Sequence, residues 1–143
     1  MNIDVRDLQD SVRIDRKKIT RCAEFVLKAM GEGKAELSLL FVTDSYIKRL
    51  NWKYRRVRSR TDVLAFSMRE GAGLSRDSTL LGDVVVSIET ARREARRRKI
   101  PVQREICLYL VHGILHLLGY KDESRRDRTR MQAKEAELLE RAI

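Results

Sequence analysis

The sequence has little cysteine, proline, histidine or acid, and each scarcity narrows what the chain can be. Its two cysteines, Cys22 and Cys107, lie far apart and form no C-x-x-C pair, which argues against a disulfide framework or a zinc ribbon. Both fall in apolar helical stretches and read as reduced core residues. No apolar run approaches the roughly 20 residues of a membrane span. The segment Met1-Asn2-Ile3-Asp4-Val5 lacks a secretory signal pattern, so a cytoplasmic location is expected. There is no internal repeat and no low-complexity linker. Acids are outnumbered, 21 Asp and Glu against 31 Lys and Arg, leaving a net charge of +10. Such an excess is costly in self-repulsion and points to a polyanionic partner, nucleic acid before a membrane surface.

What is there fits one domain. A chain of 143 residues can bury about 68–70% of its unfolded surface and needs no disulfides to fold. Residues 1–143 are therefore expected to form a single domain. "NIDV" reads as an edge strand. Asp15 reads as the N-cap of a first helix, with Ile19, Cys22, Val26 and Ala29 at helical spacing and Gly31 and Gly33 as its stop. "ELSLLFV" (36–42) reads as a buried strand, and Thr43 or Asp44 caps a second helix that runs to about Tyr54. "DVLAFSM" (62–68) and "LLGDVVVS" (80–87) read as further strands, separated by a loop over 69–79. Ser87 caps a third helix, 88–99. Pro101 opens a fourth, and Gly119 ends it near Leu118. A fifth helix covers roughly 124–141. The expected fold is α/β or α+β, a small mixed sheet of four strands flanked by about five helices.

The only two histidines, His112 and His116, are four residues apart on the fourth helix. That spacing stacks them on one face, so two imidazole nitrogens can aim at one ion. Gly119 breaks the helix and lets Asp122 return to the same face as a third ligand, with neighbouring Glu123 as its competitor. Three protein ligands with an open fourth position is the catalytic zinc pattern. Zinc is favoured, and nickel, cobalt or iron also suit the donors. The spacing follows zinc-peptidase logic with one omission, because Gly113 stands where those enzymes place a glutamate base. Glu105 is about 10 Å down the helix axis from His112 and cannot join the site.

Two segments carry the basic excess. "IKRLNWKYRRVRSR" (47–60) has seven Lys and Arg and no acid, with Trp52 and Tyr54 among them. The two aromatics are placed either to stack on unpaired bases or to pack the second helix onto the core. "RREARRRKIPVQR" (92–104) has seven basic residues and one Glu. Ile88, Ala91 and Ala95 form the only apolar stripe of its helix, and the rest reads as solvated basic surface. The fifth helix mixes both signs and reads as a solvated face with local ion pairs and no function.

Taken together, these segments resemble one family. "HGILHLLGYKD" is similar to the H-G-x-L-H-L-x-G-Y-D-H signature of the bacterial YbeY endoribonucleases. "LNWKYR…RTDVLAF" (50–66) and "LLGDVVVSIETA" (80–91) resemble that family's L-N-x-x-Y-R…T-D-V-L-S-F and L-G-D-I-x-I-S blocks, in the same order. The resemblance implies single-strand-specific RNA cleavage with a zinc ion, in maturation of the 3′ end of small-subunit (16S) ribosomal RNA and in ribosome quality control. It implies metal ligands at His112, His116 and position 122, and a catalytic arginine at Arg55. The expected partners are single-stranded ribosomal RNA and the small ribosomal subunit. The chain departs from the pattern at Asp122, where the family has a third histidine, at Lys121, where it has an acid, and at Ala65 and Ser67. Two rival readings follow from the residues: a zinc metallopeptidase, disfavoured by Gly113 and by the charge, and a non-catalytic RNA- or ribosome-binding factor with a structural metal.

Overall fold

The computed structural model describes residues 1–69 and 78–142, so most of the loop expected over 69–79 lies outside the described residues. Four strands, β1 (Asn2–Asp7), β2 (Glu36–Val42), β3 (Val63–Ser67) and β4 (Leu80–Ser87), form one sheet in the order β1-β2-β4-β3. β1 and β4 run parallel to β2, and β3 runs antiparallel to β4. Five helices flank it: α1 (Arg16–Ala29), α2 (Asp44–Arg55), α3 (Ile88–Arg98), α4 (Val102–Leu117) and α5 (Arg125–Ala142). The mixed four-stranded sheet with five helices is the expected architecture.

Alternation along the strands sorts the apolar residues into two layers. Leu37, Leu39 and Phe41 of β2, Val84 and Val86 of β4, and Val63 and Ala65 of β3 face the larger core, shared with α1, α3, α4 and α5. Leu40, Val42, Leu64, Phe66 and Val85 face the other side, where Tyr46, Ile47 and Leu50 of α2 cover them. β4 is nearly continuous in apolar residues because it is covered on both faces. Cys22 and Cys107 are both buried as free thiols in the larger core.

The helix starts are written in short polar side chains. Asp15 accepts from the Lys18 amide, Thr43 from Tyr46 and Ser87 from Thr90. Thr43, rather than Asp44, is thus the cap of α2. Asp44 instead joins the starts of α2 and α3: its carboxylate accepts from Ser87 Oγ and Thr90 Oγ1, both at 2.7 Å, and from Arg93 Nη1 at 2.6 Å, while its amide donates to Glu89. The stripe of α1 is Ile19, Cys22, Ala23, Val26 and Leu27. Ala29, expected on that stripe, is exposed at the frayed end.

Two glycines position the site. Gly113 lies where α4 crosses the sheet: a Cβ there would come within 2.6 Å of Val84 Cγ1 and 3.3 Å of Val63 Cγ2. Gly119, with φ +98°, takes the left-handed turn after α4, its amide bonded to the His116 carbonyl and the Tyr120 amide to that of Leu115. That turn reverses the chain toward the helix it has just left.

Candidate metal centre

His112 and His116 project from one face of α4, and the reversal at Gly119 brings Asp122 back beside them. One donor atom from each of the three lies within 4.8 Å of the other two. The two Nε2 atoms face each other at 3.1 Å, and Asp122 Oδ2 is 3.4 Å from His116 Nε2. Ligand nitrogens and oxygens about 2.0–2.1 Å from a tetrahedral ion stand roughly 3.3 Å apart. Two of the three separations are already close to what a small tetrahedral cation needs, and the cluster could hold a metal ion. Glu123 lines the same cleft but is not part of the cluster; its carbonyl accepts from Arg128.

The far side of His112 is held by a residue the sequence reading assigned no function. Its Nδ1 contacts the Glu135 carboxylate of α5, and Glu135 is largely buried, its side chain 13% exposed. An acceptor at Nδ1 keeps the proton there and leaves Nε2 free for a cation. Burial pulls the His112 pKa down, and the hydrogen bond and charge of Glu135 overcome this, so it sits above its ordinary value. His116 goes the other way, lowered by burial and then by the neighbouring His112. Glu135 falls four residues after Met131 and three before Leu138, both buried, so it lies on the buried side of an otherwise solvated helix.

Arg55 is brought to the same cleft from the end of α2. The cleft, about 520 Å³, is lined by Arg55, Asp62, His112, His116 and Asp122 among others. Arg55 Nη2 donates to the Ala65 carbonyl at 2.7 Å, and its guanidinium lies 5.4 Å from the Phe66 ring. It is thereby pinned against β3 while remaining exposed. Asp62 was also missed. Its carboxylate accepts from the Val63 amide, and it borders both this cleft and a second one on the other side of His112.

Other expectations sort cleanly. Glu105 is fully buried and paired with Arg98 at 3.5 Å, away from the cluster as the axial rise required. Trp52 and Tyr54 are 39% and 58% exposed, so neither is a buried core residue, although the Tyr54 ring meets Phe66 edge-on at 5.4 Å. The arginines of α3 are partly engaged, Arg93 with Asp44 and Arg97 with Glu94, and are less free than a plain solvated face. No described helix is long and apolar enough to cross a membrane.

Known proteins match this arrangement along the whole chain. A family model described as "Endoribonuclease YbeY" matches residues 4–142. The chain is 45% identical to "Endoribonuclease YbeY" of Pelotomaculum thermopropionicum, covering 99% of this chain and 97% of that protein. It is 39% identical to the protein of the same name from Syntrophus aciditrophicus, covering 97% and 88%. The solution structure of TM1509 from Thermotoga maritima shares the fold with a TM-score of 0.66 over 98% of this chain and 88% of that one, at 24% identity. The family model and these relatives cover nearly the whole chain, and the chain belongs to the endoribonuclease YbeY family.

Proposed function

We propose that this protein is a zinc-dependent endoribonuclease that cuts single-stranded RNA, with ribosomal RNA at the 3′ end of the small-subunit transcript as its substrate and the small ribosomal subunit as its partner in the cytoplasm. The match to the family over residues 4–142 supports reading residues 1–143 as a single metal-dependent endoribonuclease domain. The observation that carries the proposal is the donor spacing of His112, His116 and Asp122, at 3.1 and 3.4 Å. It suits zinc, which favours imidazole and carboxylate donors in a tetrahedron. When bound, the ion supplies a Lewis acid that polarises a phosphoryl oxygen or lowers the pKa of a water.

The chain's own residues do the rest. Arg55, fixed by the Ala65 carbonyl, presents the remaining guanidinium N–H groups to a phosphate and stabilises the charge that grows on it in the transition state. Glu135 orients His112. The cleft is open, and Arg55 and Lys121 in its lining are the positive side chains that a polyanion would meet beside a bound ion. Peptide hydrolysis is disfavoured at the position where it would need a base. A Cβ at Gly113 would clash with Val84, so a glutamate there would force α4 and the sheet to shift apart.

The test is to incubate the zinc-loaded protein with single-stranded RNA and, separately, with a peptide library, beside His116→Ala and Arg55→Ala purified identically. The expected result is RNA cleavage by the parent, lost in both variants, with peptides intact. RNA left whole by the parent, with RNA affinity retained in His116→Ala, would replace the nuclease with a binding factor.

A further inference from the structure

Apart from Arg55, the second half of α2 and the loop after it build a surface that the cleavage chemistry does not use. Residues 52–60 are all exposed. The loop is nevertheless shaped. Arg56 takes a left-handed conformation at φ 57°, its amide bonded to the Trp52 carbonyl, and the buried Asn51 side chain donates to the Ser59 carbonyl at 3.0 Å. This folds the loop back over the helix. Arg58 then lies 4.5 Å from the centre of the Trp52 ring, and Arg56 lies 5.3 Å from it. Lys48, Arg49, Trp52 and Arg58 line a groove of about 470 Å³, roomy for a nucleobase. No acid occurs between residues 47 and 60.

We propose that this groove is a second RNA-binding site, in which an unpaired base stacks on Trp52 and Arg58 while Lys48 and Arg49 hold the flanking phosphates. An exposed indole beside guanidinium groups is the usual device for holding single strands without reading sequence, since every base offers a π-face. The groove and the cleft share no lining residue but are served by the same helix. Arg55, which lines the cleft, is three residues beyond Trp52, about 4.5 Å along the helix axis. A strand cut near His112 can thus be gripped a short distance away by the same helix. The inference rests on the reading of the chain as one that acts on RNA.

Trp52 is the only tryptophan, so its fluorescence reports this groove alone. The full zinc-loaded chain is titrated with a ten-residue 2′-O-methyl uridine oligonucleotide, checked for integrity afterwards. Saturable quenching of Trp52 emission is expected. Trp52→Ala should weaken binding of the labelled oligonucleotide roughly tenfold, with Trp52→Phe, read by anisotropy, restoring most of it. Binding without any change in emission, or equal affinity in Trp52→Ala, overturns the site. Equal quenching by poly-glutamate also overturns it, and points to an acidic polypeptide partner. None of these readouts needs turnover. Quenching can hold while the cleavage test fails, and the reverse, so the two readings fall separately.

Discussion

A missing glutamate side chain separates this site from a zinc-peptidase site. Gly113 packs α4 onto Val84 and Val63, and the same absence of a side chain removes the glutamate base that a zinc peptidase carries at that position. Gly113→Ala gains up to about 1 kcal/mol of helix propensity but forces a stiff buried valine to move, which costs about 1–3 kcal/mol. With the Cβ only 2.6 Å from Val84 Cγ1, the clash wins, and a net loss of roughly 1–2 kcal/mol is expected in urea melts; a stabilised variant would contradict the close packing. Glu135 makes the complementary case. Removing an acceptor behind a ligating histidine typically costs 10–100-fold in metal affinity. Glu135→Ala should lose about that much against a competing chelator, while Glu135→Gln, which keeps an acceptor oxygen, recovers part of it. Equal metal affinity in parent and Glu135→Ala would reduce the contact with His112 to packing. The histidine pair could be read from spacing alone, because a helix fixes its geometry. Spacing left Asp122 and Glu123 both open, and it is the turn at Gly119 that sets Asp122 beside His116. Glu135 could not be read, because only the packing of α5 on α4 brings it there.

At the scale of elements, the polar residue that matters most is Asp44, which fastens the start of α2 to the start of α3. Burial alone would raise its pKa. The hydrogen bonds from Arg93, Thr90 and Ser87 outweigh that, and the carboxyl is lowered to about 2. A folded-state pKa below the unfolded one means stability that is present above about pH 4 and lost as the pH falls through 2. Against an ordinary 3.8, the effect is roughly 2 kcal/mol at neutral pH. Asp44→Asn should therefore be destabilised by about that amount at pH 7, with the gap to the parent closing as the pH falls from about 4 toward 2. A gap that does not change with pH would contradict the network. The element boundaries themselves were legible, since Asp15, Thr43, Ser87, Pro101 and Gly119 all stand at helix ends. The order β1-β2-β4-β3 was not. Strand order depends on which faces pack together, and alternation within a strand carries no record of its neighbour.

For the whole molecule, the excess of ten positive charges is a statement about a polyanion, and its consequence is salt dependence. Each lysine or arginine that neutralises a phosphate of single-stranded RNA steepens the log–log salt slope of binding by about 0.7. Replacing Lys48, Arg49 and Arg58 together by alanine should flatten that slope by about 2, and an unchanged slope would remove those residues from the interface. The charge was visible in composition, but its distribution was not. Arg93, Arg97 and Arg98 are exposed but paired with the acids Asp44, Glu94 and Glu105, whereas the basic residues around Trp52 meet no acid in their own segment. The central claim is that the reversal at Gly119 completes a metal site with an aspartate in place of a third histidine, and elemental analysis of the purified, dialysed protein tests it most directly. The account predicts a single zinc ion per chain in the parent and near-background metal in both His116→Ala and Asp122→Ala. A metal-free parent that cannot be loaded, or full occupancy in Asp122→Ala, would contradict it.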